Sequence, residues 1–141
     1  MHHALKQAKL AHRDGELPFG AVVVKDGVII SRGRCRENKR GTVLAHAEAE
    51  AIDKACKKLG TTKLTGCTIY CTNEPCPMCA AAIFQAKVPR VVIGASRGDL
   101  AFLRPRNIDI QALADDSGYA VTIIRDVLKP NVVELFALAV Q

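Results

Sequence analysis

Tryptophan is absent, and with four phenylalanines and two tyrosines the aromatic share of the 141 residues is only 4%. Few rings are available as platforms on which single-stranded bases stack. No apolar run approaches the ~20 residues that cross a bilayer, which excludes a membrane-spanning helix. The opening stretch, Met1-His2-His3-Ala4-Leu5-Lys6, has neither the apolar segment nor the small-residue cleavage site of a secretory leader. A cytoplasmic, reducing location is therefore expected, and the six cysteines read as thiols or metal ligands. Low-complexity linkers and internal repeats are also missing, so residues 1–141 read as one domain.

What is present is ordinary in bulk: 49% hydrophobic and 24% charged, which excludes whole-chain disorder. Lys and Arg total 20 against 14 Asp and Glu, a net charge of +6. Such a balance favours an anionic partner such as RNA through counterion release. Because the basic residues are spread along the chain, a plain basic surface accounts for it better.

Hydrophobic spacing predicts a helix over Leu5–His12, stopped by Asp14-Gly15. Gly20–Lys25 and Val28–Ser31 are β-branched runs joined by Asp26-Gly27, the favoured two-residue hairpin turn. Residues 32–44 are rich in Arg, Lys and Gly and read as a loop. Further helices are expected over Ala45–Leu59, Cys76–Ala86, Ile108–Ala114 and Pro130–Val140. Strands are expected over Cys67–Thr72, Val91–Ile93 and Ala120–Ile124, with a basic loop over Ala95–Arg106. A hairpin followed by alternating strands and helices implies an α/β fold: a three-layer α/β/α sandwich with a central mixed five-stranded sheet.

Two motifs carry chemistry: His46-Ala47-Glu48 and Pro75-Cys76-Pro77-Met78-Cys79, each where a helix begins. On this chain's own counts the Pro-Cys-x-x-Cys pattern is expected by chance about 0.01 times, so it calls for a cause. Cysteines three apart share a face of a helical turn, and thiolates at a helix N-terminus are stabilised by free N–H groups and the dipole. With His46 as third donor, Cys76 and Cys79 make a three-ligand zinc set with an open fourth position, the arrangement of catalytic zinc. Zinc so placed lowers the pKa of water towards neutrality, and Glu48 is placed to shuttle protons. Residues two apart on a regular helix point about 200° apart, so His46 and Glu48 share a site only if His46 sits at an irregular helix start.

Taken singly, Glu48 is an ordinary first-turn carboxylate and His46 a core histidine; their combination with the cysteines is what points to a site. A second assignment, with Cys67, Cys71, Cys76 and Cys79 as a four-thiolate structural zinc site, makes a binding module instead of an enzyme. Cys67 and Cys71 fall at opposite ends of a short strand, which disfavours it. Cys56 reads as a buried apolar residue.

The pattern resembles the zinc-dependent nucleobase deaminases of the cytidine and deoxycytidylate deaminase superfamily. The likeness takes in Pro18-Phe19-Gly20-Ala21-Val22, Ala45-His46-Ala47-Glu48, the stretch Tyr70 to Cys79, and Val91-Val92-Ile93-Gly94. It implies a cytidine deaminase-like fold, Zn2+ held by His46, Cys76 and Cys79, and Glu48 as the catalytic acid/base. That carboxylate protonates a ring nitrogen and then the departing amine, and ammonia leaves. Backbone N–H groups near Ala47 and Cys76 are implied to hold the attacking oxygen. Phe19, Cys35, Ala47, Pro75 and Phe102 are implied substrate-binding residues, Phe19 serving equally as an ordinary core aromatic. A homo-oligomer, a dimer first, is also implied.

Within that superfamily, the small branch contains tRNA adenosine deaminases, guanine deaminases and fungal-type cytosine deaminases. Gly41-Thr42 before the histidine, and the tail from Leu113 to Phe136, look like the cytosine type. The tRNA and guanine types carry Asp-Pro-Thr-Ala where this chain has Thr42-Val43-Leu44-Ala45, and a basic C-terminal helix typical of the tRNA enzymes is not seen before Gln141. Where the families place an Asn two residues after the glycine closing the second strand, this chain has Cys35, a weak donor and acceptor. That argues for an altered ring pattern, such as isocytosine, another amino-pyrimidine or a triazine, or for readout by Arg36 or Asn38. The loop Ala95–Arg106 is longer than in the cytosine type and offers Phe102 or Arg104 as a lid. The expected substrate is a small free base, cytosine or isocytosine-like, with guanine next because of Pro77 between the cysteines. Adenosine in tRNA comes third, and a structural zinc or RNA-binding module is the non-enzymatic alternative.

Overall fold

Asp26 and Gly27 both take left-handed backbone, with φ of 49° and 74°. A two-residue hairpin turn of the primed type needs that geometry, and it joins β1 (Gly20–Lys25) to β2 (Val28–Arg34). In the computed structural model, which describes residues 1–141, the pairing slips once: Val23 faces Ser31 while Val24 faces Ile29, leaving Ile30 as a bulge. The remaining strands are β3 (Cys67–Asn73), β4 (Arg90–Ala95) and β5 (Thr122–Ile124). They form one sheet in the order β2-β1-β3-β4-β5, antiparallel about β1 and parallel from β3 onward.

The helices are α1 (His2–Arg13), α2 (Glu37–Arg40), α3 (Ala47–Leu59), α4 (Pro77–Gln85), α5 (Ile110–Ser117) and α6 (Lys129–Ala139). Two apolar clusters separate them into layers. Ala47, Ala51, Ile83 and Ile110 from α3, α4 and α5 pack with Ala21, Ile69 and Val91 on one side. Leu5, Ala8, Val132 and Phe136 from α1 and α6 form the other. The expected α/β/α sandwich with a mixed five-stranded sheet is observed. No helix is long and apolar enough to cross a membrane.

Two glycines set how closely helices lie on the hairpin. A Cβ at Gly33 would fall 2.0 Å from the Ala47 carbonyl oxygen, and one at Gly20 would fall 2.2 Å from that of Ala4. Backbone therefore rests on backbone at both places, α3 on β2 and α1 on β1, and only glycine fits.

The loop expected over 32–44 is corrected. β2 continues to Arg34, and residues 37–40 form a helical turn closed by Gly41 in left-handed backbone (φ 60°). The strand end was hidden because its inward residues are Ser31 and Gly33, the small side chains that α3's close approach demands. Ser31 Oγ donates to the Ala51 carbonyl at 2.6 Å. The loop expected over 95–106 also contains structure: Ala95 ends β4, and Arg97–Asp99 is a 3-10 turn with a Ser96/Asp99 capping box.

Candidate active site

The site forms where two helices begin. His46 is the N-cap of α3 in extended backbone, φ −82° and ψ 154°. This is the irregular start that lets it share a site with Glu48. Cys76 is the N-cap of α4, also extended (φ −68°, ψ 167°), and its Sγ accepts the Cys79 backbone N–H at 3.5 Å. Pro77 follows, preset for the first helical position and lacking the N–H that would have no partner there. The positive ends of the α3 and α4 dipoles thus both meet the site, which favours anionic side chains.

His46 Nδ1 lies 3.5 Å from Cys76 Sγ and 3.5 Å from Cys79 Sγ. All three donor atoms are within 4.8 Å of one another. A tetrahedral zinc ion with ordinary bond lengths separates a nitrogen and a sulfur ligand by about 3.6 Å. The residues present therefore fit zinc both in spacing and in donor chemistry. Cys67 and Cys71 are not drawn into this group: they lie along β3 in the apolar core. The four-thiolate assignment is corrected on that ground.

In the bare side chains the charge is already separated. The Cys79 thiol, donating to Cys76, is the largest influence holding Cys76 down at about 3, with His46 adding to it. Cys79 correspondingly keeps its proton, its pKa pushed upward. The hydrogen bond to Cys76 raises His46 to about 9. Glu48 is 3% exposed, and burial pushes its carboxyl up to about 7 against the pull of His46. A carboxyl near neutrality exchanges protons in both directions, as an acid/base group must.

Of the other expected site residues, Ala47 and Pro75 are buried beside these groups in sequence, at the starts of α3 and α4. Phe19 stacks on Phe136 with ring centroids 5.8 Å apart, which places it in the seam between the apolar clusters. Phe102 is 88% exposed with φ 65° and is not gathered with the cysteines. Cys35 is 2% exposed and its thiol donates to Glu37 Oε2 at 3.6 Å, so its side chain is spent inside the protein.

Glu37 was not singled out from sequence, yet its Oε1 lies 3.4 Å from His46 Nε2. It sat in a stretch read as loop, and nothing in the spacing signals it. Beside the site, a cleft of about 1000 Å³ is lined by Arg36, Lys39, Arg40, Lys54 and Met78 among others. A smaller one of about 380 Å³ is lined by Pro75, Pro77, Arg97 and Arg106 among others.

Residues 1–95 match the sequence model of the cytidine and deoxycytidylate deaminase zinc-binding region. A tRNA-specific adenosine deaminase of Bacillus subtilis is 50% identical over 95 residues, 67% of this chain and 59% of that protein. The guanine deaminase of the same organism is 48% identical over 84 residues, 60% of this chain and 54% of that protein. The match thus spans less than two thirds of the length of either relative. A structure solved in a study of A-to-I editing by tRNA deaminases at the wobble position superposes with a TM-score of 0.85. Its sequence is 33% identical, and 96% of both chains is covered.

Proposed function

The chain belongs to the cytidine and deoxycytidylate deaminase family, and from that premise we propose that it is a zinc-dependent hydrolase removing the amino group of a purine, adenosine in tRNA first. The observation that carries the reaction type is a histidine nitrogen 3.5 Å from each of two cysteine sulfurs, with a buried carboxylate two residues along the same helix start. His46, Cys76 and Cys79 would hold the metal, which when bound would supply an activated water and polarise the reacting centre. Glu48 takes one proton from the attacking water and gives it to a ring nitrogen, then takes the remaining proton from the new hydroxyl group and gives it to the departing amine. Water and the amino compound become the oxo compound and ammonia. The N–H groups at the start of α3, left without a side-chain cap, are available to an oxygen that gains charge there.

Adenosine in tRNA is supported by the 50% identity to a tRNA-acting relative and by the superposition over 96% of both chains. The cleft carries a net positive lining, with Arg36 and Lys54 paired to Glu50, Lys57 paired to Asp53, and Lys39 and Arg40 the cations left to meet a phosphate backbone. Guanine is the second reading, resting on the 48% identity to the guanine deaminase. The expectation of cytosine or isocytosine draws no support from these relatives. Its main signal, Gly41-Thr42, has a local cause: Gly41 supplies the left-handed end of α2, and the Thr42 N–H closes that turn onto the Glu37 carbonyl. A homodimer belongs to the same proposal and is tested by sedimentation.

The test is ammonia release with product identification from deacylated tRNA, guanine and cytosine. Inosine in tRNA, with binding that weakens steeply as salt rises, supports the leading reading; xanthine from guanine moves the assignment to the second. Uracil from cytosine alone refutes both.

A further inference from the structure

Resting on the zinc site proposed above, we infer that Glu37 is a positioning residue for the metal: its carboxylate, within ion-pair distance of His46 Nε2, draws the ring proton to that nitrogen and so presents Nδ1 to the ion. The two ring nitrogens have different neighbours. His46 Nδ1 faces both cysteine sulfurs at 3.5 Å, while Nε2, on the far side of the ring, faces Glu37 Oε1 at 3.4 Å. A neutral imidazole carries one N–H; if it sits on Nε2, Nδ1 is left with its lone pair towards the ion. A carboxylate accepting the Nε2–H selects that tautomer, fixes the ring plane and makes Nδ1 a better donor.

Glu37 is itself held on several sides. Its second oxygen, Oε2, accepts the thiol proton of buried Cys35 at 3.6 Å. The turn that carries it is pinned by Glu16, 5% exposed, which accepts the backbone N–H groups of Asn38 at 3.1 Å and Lys39 at 2.7 Å. Arg36 N–H donates to the Ala45 carbonyl at 2.9 Å and ties the segment before Glu37 to the residue before His46. These bonds make the 37–40 turn a rigid mount for one carboxylate aimed at one imidazole. Cys35 also acquires a role here: its thiol orients the carboxylate and does not read a substrate.

The test compares wild type, E37A and E37Q by competition for zinc against a chromophoric chelator, with absorption spectra of the Co2+-loaded proteins. E37A is expected to weaken zinc binding about 10–100-fold and to shift the Co2+ ligand-field bands. E37Q, whose amide oxygen still accepts from Nε2–H, recovers most of the affinity. Equal zinc affinity and identical Co2+ spectra in all three proteins overturn the inference while leaving the zinc site standing. Failure of wild type to bind zinc overturns the functional reading itself. Should E37A not fold, the imidazole nitrogens of the zinc-loaded wild type decide by NMR. A protected proton on Nε2, shifted by a carboxylate acceptor, supports the inference, and a proton lost to solvent exchange refutes it.

Discussion

Gly33→Ala separates the site's scaffold from its chemistry. The added Cβ would sit 2.0 Å from the Ala47 oxygen and 2.7 Å from the Ala51 nitrogen. Unstrained carbon contacts lie near 3.5 Å, so α3 must retreat from β2 by more than about 1 Å. Overpacking of this kind costs about 1–3 kcal/mol where side chains can yield. Here both obstacles are backbone, which places the cost at about 3 kcal/mol or above, a fall in Tm of about 10 °C for a chain of this size. Ala47 lies between His46 and Glu48, and a 1 Å misplacement of reacting groups costs about 100-fold in rate. Gly20→Ala is the control, since its Cβ would meet Ala4 and Ala8 on α1 at 2.2 and 2.5 Å, on the other face of the hairpin. Thermal unfolding and chelator competition for zinc should show both variants destabilised alike, with only G33A losing zinc affinity. Wild-type stability in G33A, or an equal loss of zinc affinity in G20A, would refute the reasoning.

Arg125 ties three elements together, reaching Glu74 Oε2 at 3.1 Å, Asp109 Oδ2 at 3.1 Å and Ser96 Oγ at 3.2 Å. R125A leaves the buried Glu74 carboxylate with only the Ile110 N–H as partner and should cost about 2–3 kcal/mol in urea unfolding, with E74Q in the same chain restoring part. Of the cysteines at the site, Cys76 is half-buried and held as thiolate while Cys79 is buried. Iodoacetamide should therefore modify Cys76 first in zinc-stripped protein, as peptide mapping will show, and zinc should block that reaction. Asp99 is held below the usual carboxylate range chiefly by Lys129 at 2.8 Å. A lowered folded pKa adds stability that is present above about pH 4 and lost as pH falls through the folded value. D99N should lower Tm at pH 7, and its deficit relative to wild type should shrink progressively as pH falls below about 4.

The sheet, its hairpin turn and the two motif-bearing helix starts were legible because each has a local cause: a two-residue turn needing positive φ, periodic apolar residues, a proline after an N-cap. Strand β2 was cut short because the residues it buries are Ser31 and Gly33, chosen by contact with a helix thirteen or more residues away. His46, Cys76 and Cys79 could be grouped by donor chemistry. Glu37 could not, because its partnership with His46 arises from a four-residue turn whose position depends on Glu16, far back in the chain. Gly41-Thr42 is the same case in reverse: the turn's backbone requirement accounts for these residues without reference to substrate.

The most direct test of the account measures zinc content and ammonia release together in wild type and E48Q. One zinc per chain in both proteins, with release from the preferred substrate falling at least about 100-fold in E48Q, is the predicted result. A fully active E48Q, or an active wild type containing no metal, would contradict it.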